Sequence, residues 1–152
     1  MTGDILHAVE VHADPHTLFE AIATQPGQRA FWTAHAIVPP GLGSIAEFGF
    51  PGTPARLKMR VERLEPDRLL AWKCEGEFPY WTGTSVTWEI SPAPTAGETT
   101  VLFSQTGWAA DYPPLDFAHV NFTWGQIVGR LKAYAESGQP QPYFPASVGA
   151  GA

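Results

Sequence analysis

Cysteine is almost missing from this chain of 152 residues, which contains a single one, Cys74. One thiol cannot form a disulfide within the chain, and it cannot build a thiol-ligated metal cluster. Cys74 lies in a strand-like segment beside Lys73, whose side chain points to the opposite face of that strand. We therefore expect Cys74 to be a buried apolar side chain rather than a nucleophile, since a reactive thiolate needs a nearby base or cation.

Basic residues are scarce, with 9 Lys and Arg against 15 Asp and Glu and a formal net charge of -6. This balance argues against binding to nucleic acid or to anionic membranes, both of which require a basic face. No apolar run approaches the ~18 residues of a membrane span. The amino-terminal residues lack the basic region and apolar run of a signal peptide. The sequence thus predicts a cytoplasmic protein with neither nucleic-acid nor membrane partners.

Motifs for cofactors and metals are also absent. Gly41-Leu42-Gly43 precedes a strand-like segment rather than a helix, so it does not predict a dinucleotide-binding loop. His12 and His16 are four residues apart but straddle Asp14-Pro15, and they therefore do not share a helical face for a metal. We expect no cofactor and no metal ion.

What the chain does contain is apolar and aromatic. Hydrophobic residues make up 44% and charged residues 16%, and six residues are Trp, which indicates one globular domain with a large core. Alternation predicts a first strand over residues 5–11. Asp14-Pro15 is typical of a helix start, with Asp as the cap and Pro in the first turn. Gln25-Pro26-Gly27 is expected to end that helix, and a short helical turn to follow over residues 28–32.

Turn residues then separate a series of strands. The clearest covers residues 56–63, where Leu57, Met59 and Val61 alternate with charged residues. Similar patterns predict strands over residues 44–50, 69–75, 84–91 and 99–106. Connections this short between consecutive strands indicate an antiparallel sheet.

The last third predicts one long amphipathic helix, introduced by Asp111-Tyr112-Pro113-Pro114. Apolar residues recur at helical spacing on one face: Phe117, Val120, Trp124, Ile127, Val128, Leu131 and Ala135. Polar residues are expected mostly on the other face: His119, Thr123, Gln126, Arg130 and Lys132. A lone helix must bury its apolar face against the sheet, so the class is α+β, and a volume is enclosed between the two.

Four segments carry a resemblance to a known family: residues 13–22 (ADPHTLFEAI), 61–72 (VERLEPDRLLAW), 99–108 (TTVLFSQTGW) and 124–134 (WGQIVGRLKAY). In order and spacing they resemble the START-like (SRPBCC) superfamily of helix-grip folds, in the branch called activator of heat-shock-protein-90 ATPase homologue-like. The resemblance implies a curved antiparallel sheet of about seven strands wrapped around the long helix, with two short helices after the first strand. It implies a single domain over residues 1–138, a tail over 139–152, and a deep apolar cavity.

The chain departs from the family pattern at one position. Family members often carry a His late in the segment before the long helix, where this chain has Gln105, so an acid–base role does not transfer to it. The fold hosts lipid carriers, hormone receptors, polyketide cyclases and co-chaperone domains, and therefore does not identify a function.

Inward-facing positions suggest what the cavity holds. The expected ligand-binding residues are Phe48, Met59, Trp72, Cys74, Trp88, Phe103, Gln105, Val120, Trp124 and Val128. The other positions expected to face inward are Phe50, Leu57, Val61, Leu70, Val86, Phe117 and Ile127. Aromatic side chains dominate this set, although any one of them could be ordinary core, and Gln105 is its main polar group. No pair of carboxylates and no His beside Ser or Cys occurs among these residues, so no catalytic residue is expected.

The preferred function is therefore binding of a small hydrophobic or aromatic molecule, with Gln105 orienting it. A polyketide cyclase or aromatase that holds a reactive chain in the same cavity is an alternative. A co-chaperone-like interaction module with a filled core is a second alternative.

Aromatic loops would border the entrance of such a cavity. The expected entrance residues are Trp32, His35, Tyr80, Trp81 and Trp108. Exposed aromatic loops on a surface of low charge would also favour a homodimer. The tail after Gly138 is rich in Pro, Gln, Gly and Ala, a composition typical of disorder, but Tyr143 and Phe144 could anchor it to the body or to a neighbour.

Overall fold

The computed structural model describes residues 3–146, which form seven strands and three α-helices. In chain order these are β1 (Ile5–Val11), α1 (Pro15–Ala23), α2 (Gln25–Phe31), β2 (His35–Ile37), β3 (Ile45–Gly49), β4 (Arg56–Glu65), β5 (Leu69–Gly76), β6 (Ser85–Pro92), β7 (Thr99–Thr106) and α3 (Pro114–Ser137). The strands form one antiparallel sheet in the order β1-β7-β6-β5-β4-β3-β2. The predicted helix-grip architecture is confirmed. No helix within residues 3–146 is long and apolar enough to cross a membrane.

The two short helices begin at capping side chains. The Asp14 carboxylate accepts a hydrogen bond from the Thr17 amide at 2.7 Å, and the Thr24 hydroxyl accepts one from the Gly27 amide at 3.2 Å. Helix α1 ends at Ala23, just before Gln25-Pro26-Gly27 as predicted, but α2 begins at Gln25 rather than at the predicted residue 28. A Pro in the first turn of a helix costs no intrahelical hydrogen bond, so it can open α2 as readily as it could end α1.

Curvature of the sheet comes partly from an irregularity in β4. The register against β5 shifts between Val61, which pairs with Trp72, and Arg63, which pairs with Ala71. The extra residue of a β-bulge bends its strand and increases its twist. The short strand β2 was not predicted, because three residues are too few to show an alternating pattern.

Helix α3 crosses the inner face of the sheet and is attached to the edge strand β1. The Lys132 ammonium donates to the Glu10 carbonyl at 2.6 Å, and the Glu136 carboxylate accepts from the His12 amide at 2.8 Å. The His7 ring lies under the helix, where a Cβ on Gly125 would stand 3.2 Å from it. Side chains of α3 therefore form hydrogen bonds with backbone groups of β1 and of His12 just after it. Covering an edge strand in this way is a common means of protecting it from pairing with another chain.

The chain turns back after α3 and lies against the body. Gly138 ends the helix in the left-handed conformation, with φ of 74° and its amide bonded to the Tyr134 carbonyl. Residues 139–146 then run beside the end of α2, and Thr33 and Phe144 form a parallel β-bridge. This part of the predicted tail is ordered against the domain despite its composition, and residues 147–152 lie outside the described residues.

Candidate functional site

The middle of the interface between sheet and α3 is filled by aromatic rings. The Trp124 ring of α3 lies 4.4 Å from Phe103 and 4.9 Å from Trp32, measured between ring centroids. Trp88 lies 4.8 Å from Phe103 and 6.2 Å from Trp72. These are separations of packed aromatic pairs. The rings therefore contact one another directly and leave no ligand-sized space between them.

Most of the residues predicted to bind a ligand belong to this packed region. Each of the following is at most 1% exposed and lies away from the pocket described below: Phe48, Met59, Trp72, Cys74, Trp88, Phe103 and Val128. The indole N–H of Trp88 has no hydrogen-bond partner among residues 3–146. The structure thus assigns these side chains to the core.

Gln105 is buried in the same region, and its side-chain amide is bonded at both ends. Its carbonyl oxygen accepts a hydrogen bond from the Trp124 indole at 2.8 Å. Its amide nitrogen donates to the Thr84 hydroxyl at 3.0 Å, and its backbone carbonyl accepts from the Trp108 indole at 3.0 Å. Gln105 therefore links α3, β7 and the loop before β6, and its side-chain carbonyl is already occupied by Trp124.

A pocket of about 220 Å³ remains beside the amino-terminal half of α3. It lies between α3, the end of α2, strand β4, the loop between β5 and β6, and the segment after α3. Its lining residues are Trp32, Phe50, Leu57, Phe78, Trp81, His119, Val120, Thr123, Trp124, Ile127 and Phe144. Val120 and Trp124 come from the predicted ligand-binding set, and Trp32 and Trp81 from the predicted entrance set. This volume is below the ~300–1,000 Å³ of pockets for drug-sized ligands, and it suits a molecule of one or two rings.

Two polar side chains line this otherwise apolar pocket. His119 and Thr123 lie one helical turn apart on α3 and both face it. His119 is exposed and Thr123 is half-buried, so both lie at the edge of the polar face, next to the apolar stripe. Residues 119, 123 and 127 are spaced by four, so they form a row along one side of the helix, and this row is the signal that could have identified them. Among the lining residues, His119 is the one that carries an imidazole, which can donate or accept a hydrogen bond.

Of the other predicted entrance residues, Tyr80 and Trp108 pack near the loop that carries Trp81, whereas His35 does not. Tyr80 stacks on Tyr112 at 4.8 Å, and Tyr112 stacks on Trp108 at 5.1 Å. Burial raises the pKa of the Tyr112 hydroxyl, and a hydrogen bond with Trp81 partly opposes that rise. His35 is exposed on β2, where its carbonyl accepts a hydrogen bond from Arg56 at 2.8 Å. These aromatic side chains hold the loop that carries Trp81 against the start of α3.

Phe78 was not predicted to line the pocket, and Phe144 was predicted only as a possible anchor of the tail. Phe78 belongs to the same aromatic loop as Trp81, and the two rings are 6.2 Å apart. Phe144 comes from the segment that composition assigned to a disordered tail. An isolated aromatic pair in a Pro-rich and Gly-rich segment was the available signal for its burial.

The described residues, 3–146, show neither an activated nucleophilic thiol nor a group of side chains suited to bind a metal ion. Burial raises the pKa of the Cys74 thiol to about 12, so the thiol is protonated at neutral pH. Within the same range, no three His, Cys, Asp or Glu side chains are grouped so that they could hold a metal ion. The pocket itself offers stacking surfaces, one imidazole and one hydroxyl.

Residues 12–136 match the model of the family described as activator of Hsp90 ATPase homolog 1-like protein. The chain belongs to this family. The match covers most of the sequence and agrees with the resemblance seen in its four motif segments.

Solved structures show the same fold. The Aha1 dimer from Colwellia psychrerythraea is 26% identical with a TM-score of 0.79, and the alignment covers 91% of this chain and 98% of that one. SSP2350 from Staphylococcus saprophyticus is 20% identical with a TM-score of 0.74, over 93% and 98% of the two chains. DynU16, from the dynemicin biosynthetic locus, is 24% identical with a TM-score of 0.75, over 95% of this chain and 51% of that one. No curated protein sequence matches this chain significantly.

Proposed function

We propose that this protein binds a small, mainly apolar aromatic molecule in the pocket beside α3. The observation that carries the proposal is the composition of the pocket walls. Three indole rings, those of Trp32, Trp81 and Trp124, border a space of about 220 Å³ together with further aromatic and aliphatic side chains. A concave and predominantly apolar site with a few polar groups is the usual form of a small-molecule site.

The lining also indicates which ligand class fits. Aromatic walls favour a flat ring, which stacks or packs edge-to-face against them. His119 and Thr123 supply hydrogen-bonding groups on one side, so a ring with one hydroxyl or carbonyl group would leave neither partner unpaired. The proposed ligand therefore has one or two fused rings and a single polar end.

Isothermal titration with 1-naphthol tests the proposal. Val120→Trp fills the pocket from α3, because Val120 is half-buried in its lining. Phe122→Trp is the matched control, since it also introduces an indole on α3, but at a position that is 68% exposed and outside the lining. We expect binding to the wild type and to Phe122→Trp, and at least a tenfold weaker affinity for Val120→Trp. Equal affinity for all three proteins, or no heat with any of them, would refute this site.

An interaction module is the second candidate function, and two observations favour it. The family description refers to activation of the Hsp90 ATPase, and the centre of the domain is filled as such a module requires. ATP hydrolysis by a purified Hsp90, measured with and without this protein, tests this function. A several-fold rise in the rate that survives Val120→Trp would place the activity on the surface rather than in the pocket.

A polyketide cyclase-like activity has weaker support. DynU16 comes from a biosynthetic locus, and His119 could exchange a proton with a bound molecule. However, a pocket of about 220 Å³ is small for an extended polyketide chain. Binding of a ring-sized fragment accounts for the geometry better.

Self-association is a further proposal. The Aha1 relative was solved as a dimer, and this chain exposes Leu115 near the start of α3, where its side chain is 68% accessible. Light scattering after gel filtration should show a mass of twice 16.5 kDa if the chain dimerises. Leu115→Glu should return it to a monomer if the start of α3 is the interface. The cytoplasmic location stays a prediction from the sequence.

A further inference from the structure

The segment after α3 covers one side of the pocket. Residues 139–146, which we name the C-terminal strap, cross from the end of α3 to the end of α2. The strap ends at the pocket, where Phe144 is part of the lining and its ring lies 5.1 Å from that of Phe50. Phe144 is half-buried, so one side of its ring faces the pocket region and the other faces outward. A single aromatic side chain therefore closes this wall.

Backbone hydrogen bonds hold the strap to the carboxyl end of α2. The amides of Gln141, Tyr143 and Phe144 donate to the carbonyls of Ala30, Phe31 and Trp32 at 2.8, 3.1 and 2.8 Å. The Ala34 amide donates in return to the Phe144 carbonyl at 3.0 Å. The last carbonyls of any helix lack intrahelical partners, so the strap supplies donors that α2 needs.

Attachment to α3 relies on exposed polar groups. The Arg130 guanidinium donates to the Gln141 carbonyl at 2.9 Å and lies 5.9 Å from the centre of the Tyr143 ring. The Tyr143 hydroxyl lies 2.6 Å from the Gln126 side-chain oxygen and donates to it. Contacts of this kind contribute little each when water can replace them. Tyr143 and Phe144 are only partly buried against the core, and Gln141, Pro145 and Ala146 are exposed. A segment held by partly buried rings and exposed hydrogen bonds is expected to open by local unfolding, without loss of the fold.

We propose that the C-terminal strap is the gate of the pocket and that Phe144 limits the size of the molecule admitted. This inference rests on the proposed binding function. Opening of the strap removes the Phe144 ring and exposes the space between Trp32, Phe50 and α3. Closing restores that wall and encloses the ligand, so strap opening controls both entry and release.

The first test needs no ligand. Phe144→Ala removes the ring but keeps the backbone hydrogen bonds, and Phe122→Ala is the control, since that ring is exposed on α3 outside the pocket. Acrylamide quenches the summed emission of all six Trp residues, so a variant that opens the pocket adds quenching of Trp32 and Trp124, which are at most 2% exposed in the wild type. We expect the quenching constant to rise about twofold in Phe144→Ala and to stay unchanged in Phe122→Ala. An unchanged value in both variants, with far-ultraviolet circular dichroism unaltered, would overturn the gate.

Hydrogen exchange on the wild-type protein gives a second result that does not depend on any variant. The amides of Tyr143, Phe144 and Ala34 should exchange together, at least about 100-fold faster than amides in the middle of β5 and β6. Arg130→Ala should accelerate this group further, because it removes an anchor without altering the pocket lining. Strap amides that exchange as slowly as those of the central strands would contradict a gate that opens on its own.

Ligand experiments then separate failure of the gate from failure of the binding function. Stopped-flow mixing with 1-naphthol should show about threefold faster association for Arg130→Ala than for the wild type. The three-ring probe 2-hydroxyanthracene should bind Phe144→Ala at least tenfold more tightly than the wild type. The gate is wrong, although the pocket binds a ligand, if 1-naphthol associates with all proteins at equal rates and 2-hydroxyanthracene binds Phe144→Ala no more tightly than the wild type. If 1-naphthol binds none of them, the proposed function fails, and the quenching and exchange results still decide whether the strap opens.

Discussion

Replacement of Gln105 by Leu tests whether this residue stabilises the core rather than orienting a ligand. Gln105 is fully buried, and its side chain bonds the Trp124 indole and the Thr84 hydroxyl. Leucine is similar in size but offers neither an acceptor nor a donor. Gln105→Leu therefore leaves the Trp124 N–H buried without a partner and removes one acceptor interaction from Thr84, whose hydroxyl still donates to the Trp81 carbonyl.

The expected cost follows from these two changes. A buried donor left unpaired costs about 1–3 kcal/mol, and a lost neutral hydrogen bond costs about 0.5–1.5 kcal/mol. The sum is about 1.5–4.5 kcal/mol, against a total stability of about 5–15 kcal/mol for a typical domain. The variant should therefore fold but unfold at a clearly lower urea concentration.

A double-mutant cycle in urea gives the decisive measurement. Trp124→Phe removes the indole N–H. In the double variant, Leu at position 105 therefore leaves no buried donor without an acceptor. We expect Gln105→Leu and Trp124→Phe to be less destabilising together than the sum of their separate effects, by at least about 1 kcal/mol. Additive effects, or a loss below about 1 kcal/mol for Gln105→Leu alone, would refute the structural role assigned to this amide.

Three further predictions concern other parts of the domain. Gly27→Ala should lower the free energy of unfolding by about 1–3 kcal/mol in urea titrations, because a methyl group there would collide with the Ala21 carbonyl of α1. Cys74 should react with a disulfide reagent many-fold more slowly in the native protein than in urea, since burial raises its pKa to about 12; fast native labelling would contradict this. The hydrogen bond from His16 to Asp67 raises the pKa of His16, so its stabilising effect is present below the ordinary histidine pKa and is lost as pH rises through the folded value. His16→Gln should therefore lower the urea midpoint more at pH 5.5 than at pH 8, and a pH-independent difference would argue against the ion pair.

Local sequence signals located most of the secondary structure. Strands β1 and β7 have the predicted bounds, because alternation and flanking turn residues mark both ends of each. The entry into α1 also follows from Asp14-Pro15 alone, as its capping bond shows. The start of α2 and the strand β2 were not located, since a Pro near a helix boundary is ambiguous and three residues show no period.

The position of the pocket depends on packing between residues far apart in the sequence, so local sequence signals do not predict it. Alternation correctly places Trp72, Trp88 and Phe103 on the inner face of the sheet, but it does not show that their rings reach one another and fill the centre. Whether space remains depends on side-chain volumes contributed by several elements at once. Phe144 is the clearest example. It lines the pocket only because the chain reverses direction after Gly138, and no periodic pattern in the sequence predicts that reversal.

The most direct test of ligand binding in the pocket beside α3 is a crystal of the full chain soaked with 4-bromophenol. The bromine atom of this ligand is located by anomalous scattering. We expect a bromine peak inside the pocket between Trp124 and Phe144, with the phenol oxygen within hydrogen-bond distance of His119 or Thr123. The same soak of Val120→Trp should lose that peak. A pocket without bromine in the wild-type crystal, or a peak that persists in Val120→Trp, would contradict the claim that this space is a binding site.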